Sequence, residues 1–178
     1  MFQSMSTTAT PFDSDAPVGS QRLIVRYKPG EPGKKEIVSA HWGTDPRFSA
    51  GIEYRFVRAE GKTFPAYRCL VPASEFQLSV GKKRYRVTLD DGNFFYLAGT
   101  WEPAMAAWPL AFKIITVDAN PEVSHYQERH GAIILRRQVM EWLDGTIPES
   151  ELLVTPPARL FRVEEIGTGR PVQTALAL

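Results

Sequence analysis

Three apolar, β-rich runs limit what this chain can fold into. They are Arg68-Cys69-Leu70-Val71-Pro72-Ala73, Leu97-Ala98-Gly99-Thr100-Trp101-Glu102 and Ile114-Ile115-Thr116-Val117-Asp118-Ala119-Asn120. Each ends in a polar or turn-forming cluster. Such runs read as neighbouring buried strands with chemistry-bearing side chains at their ends. Around them stand 14 prolines and 13 glycines, which imply many turns and few long helices.

The rest of the chain agrees with a strand-rich domain. Arg22–Tyr27 and Glu36–Trp42 flank Lys28-Pro29-Gly30-Glu31-Pro32-Gly33, where Pro fixes φ and Gly supplies φ > 0, so the three form a hairpin. Glu53–Glu60 alternates as a half-exposed strand does. A short strand over Tyr67–Pro72 is expected to stop at Pro72. Glu75–Val80 and Arg84–Leu89 then make a second hairpin about Gly81-Lys82-Lys83. Phe94–Trp101, Leu110–Val117, Ala132–Leu135 and Leu160–Ile166 complete the strands, while Ala119–Arg129 reads as loop or short helix. Arg136–Leu143 carries Val139, Met140, Trp142 and Leu143 as a short amphipathic helix, closed by Asp144-Gly145, and Glu149–Leu153 reads as a further helical turn. Residues 1–20 are rich in Ser, Thr, Asp and Pro and read as an irregular arm, within which Met5 is an alternative start. Residues 21–178 form one domain. The fold class is α+β: a β-rich single domain of eight to ten strands, a curled sheet or partly open barrel, with a few short helices.

Composition excludes several functions. Lys and Arg total 21 against 20 for Asp and Glu, so any basic surface must be local. No apolar run approaches the ~20 residues that cross a bilayer, so no membrane partner is expected. Residues 1–20 lack the basic start and long apolar segment of a secretory signal. The lone cysteine, Cys69, fits a reducing cytoplasm, and its apolar neighbours place it in a core rather than at a nucleophile's site. His125 and His130 are too loosely spaced for zinc, His41 is remote, and no phosphate-cradling glycine loop or Gly-x-Ser-x-Gly occurs, so no metal and no cofactor are expected. Two local patterns carry chemistry. Glu102 beside Trp101 suits a general acid or base, because desolvation by an indole raises a carboxyl pKa. Trp42, Arg58 and Arg129, an aromatic and two cations near strand or loop ends, suit single-stranded nucleic acid. Taken alone, each pattern reads better as the ordinary alternative: a loop glutamate in the first case, a core tryptophan and solvated arginines in the second.

Order and spacing add a resemblance. Arg68-Cys69-Leu70-Val71-Pro72-Ala73-Ser74-Glu75-Phe76 resembles the RCLIPADGFYEW segment of SOS-response-associated peptidase (SRAP) domains. Leu97–Glu102 resembles their FAGLWE, Phe112–Asn120 their FTIITTDAN, Trp42-Gly43 their RWGL, and Ala16-Pro17-Val18-Gly19 their NVAPG. The resemblance runs from about Ala16 to about Ile166. It implies a β-rich fold with a groove for single-stranded DNA. It also implies a cysteine, exposed by removal of the initiator methionine, whose amine and thiol condense with an abasic-site aldehyde into a thiazolidine, with Asn, Glu and His nearby to orient the sugar and move protons. The same cysteine is thought to be released by self-cleavage.

This chain departs from that pattern at the reactive positions. Phe2 follows Met1 and is too large for routine methionine removal, and neither Phe2 nor Ser6 supplies a thiol. The family's Asn-Ala-Arg-Ala-Glu becomes Phe56-Val57-Arg58-Ala59-Glu60, and its His-Asp-Arg-Met-Pro becomes Gln127-Glu128-Arg129-His130-Gly131. Glu102 matches the family glutamate of FAGLWE. The resemblance therefore implies a divergent member that binds single-stranded or abasic-site DNA through Trp42, Arg58 and Arg129 without the crosslink. Two alternatives stand beside it: residual lyase or peptidase-like activity using Glu102 with His125 or His130, and a catalytically dead interaction module of a mobile element. A second copy of the chain, making a homodimer, is a further candidate partner.

Overall fold

The computed structural model describes residues 9–17, 19–48 and 54–168. Expectations that fall on residues 1–8, among them the start at Met5, lie outside these, as do those on the last ten residues.

Every strand among the described residues belongs to one mixed sheet. In chain order these are β1 (Thr10–Asp13), β2 (Gln21–Tyr27), β3 (Lys35–Trp42), β4 (Phe56–Arg58), β5 (Arg68–Val80), β6 (Lys83–Leu89), β7 (Phe95–Glu102), β8 (Ala111–Asp118), β9 (Arg129–Gly131), β10 (Ile133–Ile134) and β11 (Phe161–Thr168). Two short helices follow β10: α1 (Val139–Asp144) and α2 (Glu149–Leu152). Strand β5 pairs with β7, β7 with β8, β8 with β3, β3 with β2, and β2 again with β5. The β2–β5 join is only Val25↔Leu70, and the β3–β8 join only His41↔Ala111 and Trp42↔Phe112. The sheet therefore curls back on itself as a partly open barrel. The expected fold class holds.

Alternation along the strands sorts the apolar side chains into two layers. Cys69, Val71, Leu97, Phe112 and Ile114 point inside the curl with Trp42 and Trp101. Leu70, Ala98, Ile115 and Val117 point outward and are covered by Trp142 and Leu143 of α1 and Leu152 of α2. That period of two is what the pleat imposes. Arg68 ties the helices to the sheet: its guanidinium donates to the Phe64 and Trp142 carbonyls and to Glu149 at 3.1 Å. Gly99 permits the close approach of β7 and β8, since a Cβ there would lie 2.8 Å from the Lys113 carbonyl oxygen.

The structure differs from the sequence reading in four places. Thr10–Asp13, expected to be irregular, is β1, parallel to β5, with Phe12 only 2% exposed. Pro72 does not stop its strand: β5 runs on for 13 residues. Along that edge of β5 the partner is β2 at Leu70 and β1 from Ala73, so Pro72 sits between two partners, where no ladder N–H is needed. Its carbonyl instead accepts from Arg22. The half-exposed strand expected over Glu53–Glu60 is paired only at Phe56–Arg58, and Glu53 lies outside the described residues. Finally, Arg129–Gly131 is a strand, because its backbone completes the far edge of β8.

Candidate functional site

Strand β8 brings the singled-out residues into two groups, one at each end. At its start, Trp42 pairs with Phe112 and Glu102 with Ala111. Near its end, Arg58 pairs with Thr116 and Arg129 with Asp118.

Trp42 is 1% exposed. Its indole N–H donates to the Arg55 carbonyl at 3.2 Å, and its ring packs edge-on against Phe12 and Phe56 at 5.0 and 5.4 Å. The tryptophan thus presents no free face, and Phe56, at the position of the family's Asn, is packed into the same aromatic cluster. Partly exposed ring surface comes instead from Tyr54 and Phe56. Between them, the Arg55 guanidinium stacks over Trp42, Tyr54 and Phe56 at 5.3, 5.6 and 5.8 Å. Its Nε is buried with no hydrogen-bond partner. Sequence reasoning passed over Tyr54 and Arg55. The signal available was the alternation of aromatics and arginines in Glu53-Tyr54-Arg55-Phe56-Val57-Arg58.

At the other end Arg58 is exposed and makes no ion pair among the described residues. Arg129 is held firmly. Its guanidinium meets Glu60 at 2.7 Å and Asp118 at 2.8 Å and also donates to the Thr116 hydroxyl and carbonyl. The Arg129 hydrogen bonds hold the Glu60 carboxyl below its ordinary pKa, against a smaller opposing effect of burial. The structure therefore brings Arg58 and Arg129 together around Glu60: Arg129 is ion-paired, whereas Arg58 makes no ion pair among the described residues and acts on Glu60 only at longer range.

Glu102 is exposed and has no hydrogen-bond or ion-pair partner among the described residues. Neither expected histidine serves it. His130 pairs with Val117, six positions along β8 from Glu102's partner Ala111, or about 20 Å at strand rise. Buried between Phe76 and Phe161, His130 accepts the Asn120 N–H at Nε2, so its proton lies on Nδ1, facing the Gly131 carbonyl. Burial is the main cause that lowers its pKa, and the ring is neutral. His125 lies in a 3₁₀ turn next to Tyr126, beyond the end of β8. The histidine in Glu102's row is His41, two strands away across Ala111, with Nε2 3.3 Å from the Gln21 amide nitrogen.

Cys69 is fully buried, and burial pushes its thiol pKa far up. Among the described residues no group of three His, Cys, Asp or Glu could hold a metal ion. No helix among them is long and apolar enough to cross a membrane.

Comparison with family models gives one match, the SOS response associated peptidase (SRAP) model, over residues 5–169. The chain belongs to the SRAP family. Solved structures show the same fold. A protein from Bordetella bronchiseptica is 21% identical with a TM-score of 0.66, covering 92% of this chain and 93% of its own. A protein from Bacteroides thetaiotaomicron is 20% identical with a TM-score of 0.63, covering 83% and 74%. A phage-related protein from B. bronchiseptica is 20% identical with a TM-score of 0.62, covering 85% and 80%. A comparison with curated proteins finds no match. Within this SRAP protein, the register that matches Arg68–Ala73 to RCLIPADGFYEW puts that segment's glutamate at Leu78, which is 1% exposed. A second acidic position of the pattern is thus apolar core here.

Proposed function

We propose that this SRAP protein binds single-stranded DNA, abasic-site DNA included, along the β4 rim and does not form the family's thiazolidine crosslink. One observation carries the reading. Arg55 and Arg58 bracket the half-buried Phe56, and neither has a carboxylate at ion-pair distance among the described residues. Aromatic surface interleaved with unpaired cations suits a single strand, whose bases stack while its phosphates release counterions. The absence of crosslinking rests on chemistry. A thiazolidine needs an amine and a thiol on one residue, and the amine of Cys69 is tied up in a peptide bond beside a buried sulfur.

The test uses the full chain with labelled oligonucleotides, single-stranded, duplex, and single-stranded with one abasic site. Retardation on native gels should favour the single strands and weaken steeply between about 50 and about 200 mM salt. Arg55→Ala and Arg58→Ala should each reduce the salt slope by about 1. Glu102→Gln should leave binding and any background strand cleavage unchanged. A heat-stable adduct on a denaturing gel would overturn the non-crosslinking part. Absence of retardation at the lower salt would overturn DNA binding and favour an interaction module, the reading to which the cancelled charge of Arg129 between Glu60 and Asp118 points.

A further inference from the structure

What the β4 rim can recognise is set by which of its side chains are left free. Around Phe56 the polar ones are already engaged. The Trp42 indole N–H donates to the Arg55 carbonyl at 3.2 Å, and the Thr44 hydroxyl donates to the Tyr54 carbonyl at 3.3 Å. The Thr116 hydroxyl, opposite Arg58 on β8, accepts from Arg129 at 3.1 Å. The same guanidinium holds the Glu60 carboxylate at 2.7 Å. Among the described residues, the side-chain surface that remains at the rim is the half-buried Tyr54 and Phe56 and the guanidinium groups of Arg55 and Arg58.

Rings and guanidinium groups bind two parts of a single strand. The rings, with the planar Arg55 guanidinium lying among them, offer flat surface to a base, and both guanidinium groups offer charge to a phosphate. A bare sugar is served by neither. A deoxyribose without its base has no π-face, and at this rim it meets Phe56, an apolar ring at the position where the family pattern carries Asn. The ring is also held in place. It packs edge-on against Trp42 at 5.4 Å and 86°, and Trp42 is packed in turn against Phe12 at 5.0 Å. Loss of a base therefore removes stacking and gains no side-chain hydrogen bond from Phe56 in exchange. We propose that the rim reads bases, with Phe56 as the specificity-determining residue: an intact single strand binds more tightly than one whose bases are missing at the rim, and abasic DNA is held only through its phosphates and remaining bases. The proposal rests on the reading that the rim binds single-stranded DNA, and it names the intact strand rather than the lesion as the preferred substrate.

Fluorescence polarisation with the full chain tests it, comparing a short labelled thymidine strand with the same strand carrying consecutive abasic analogues. The analogues lack the aldehyde, so no covalent step contributes. The intact strand should bind at least about fivefold more tightly, as loss of one stacked base predicts. The salt slope should be the same for both strands, because the phosphates are unchanged. Phe56→Asn should narrow the preference. Because Phe56 packs on Trp42, Phe56→Leu and Tyr54→Leu are measured beside it. Each keeps apolar volume and removes a ring, so each should weaken the intact strand and leave the abasic strand and the salt slope unchanged. Arg58→Ala should instead lower the salt slope with both strands and leave their ratio intact. Equal or tighter binding of the abasic strand, with the intact strand still bound, overturns base reading and leaves DNA binding standing. A preference that Phe56→Leu and Tyr54→Leu both leave unchanged overturns its assignment to these rings. No binding of either strand at low salt overturns the DNA reading and this proposal together.

Discussion

At the scale of single residues, two titratable groups are made inert by their surroundings. Cys69 lies against Gly99, where an added Cβ would come within 3.0 Å of its sulfur, and it has no exposed surface. Thiolate formation there is suppressed by burial, so alkylation by iodoacetamide should be undetectable by mass spectrometry in the native protein and complete in denaturant. His130 is the second case. Its folded pKa lies below that of the unfolded chain, so the unfolded state binds the extra proton first. Its contribution to stability is complete above the unfolded pKa of about 6.5 and is lost as pH falls through that value toward the lowered one. Urea midpoints measured at pH 7.5, 6.5 and 5.5 should therefore decline, and His130→Gln, which keeps an acceptor for the Asn120 N–H, should flatten the decline. The paired carboxylates of Glu60 and Glu149 have lowered pKa values, so their stabilisation is lost only below their ordinary range near 4.5. The two effects separate on the pH axis.

At the scale of elements, the strands were legible wherever an apolar period of two was sustained. Arg22–Tyr27, Arg84–Leu89 and Leu110–Val117 coincide with strands to within a residue or so. Pro72 misled because a proline is read from the donor it lacks, whereas the cost depends on whether a neighbouring strand would use that donor. β1 and β9 were not legible at all. Their sequences are short and polar, and pairing with β5 and β8 makes them strands. Gly99 shows the same dependence on neighbours. In sequence it is one glycine among 13, yet its Cβ position lies 2.8 Å from a backbone oxygen that cannot rotate away. Gly99→Ala should cost about 1–3 kcal/mol by overpacking, read as a lower urea midpoint with an unchanged slope.

At the scale of the whole molecule, β5, β7 and β8 serve both apolar layers at once, one with each face. The helices are therefore part of the cooperative unit rather than an appendage. Trp142 is fully buried and donates its indole N–H to the Cys69 carbonyl. Trp142→Ala should remove about 3–5 kcal/mol, with far-UV circular dichroism and tryptophan fluorescence still falling in one coincident transition. A helix layer that melted first, leaving the sheet intact, would contradict this arrangement.

The sequence by itself determined the architecture of this SRAP protein, because the pleat writes burial into alternate positions of each strand and turns need proline and glycine at particular places. It also determined that Phe56 stands where the family pattern carries Asn. Only the tertiary structure decided which charges and rings remain free. Arg129 is neutralised by Glu60, brought to it from 69 residues away, while Trp42 is enclosed by Phe12 and Phe56. Arg55 and Arg58 keep their charge without an ion pair among the described residues, Arg55 while stacked on Trp42, Tyr54 and Phe56. Pairing and exposure are properties of neighbours in space, and no local pattern encodes them.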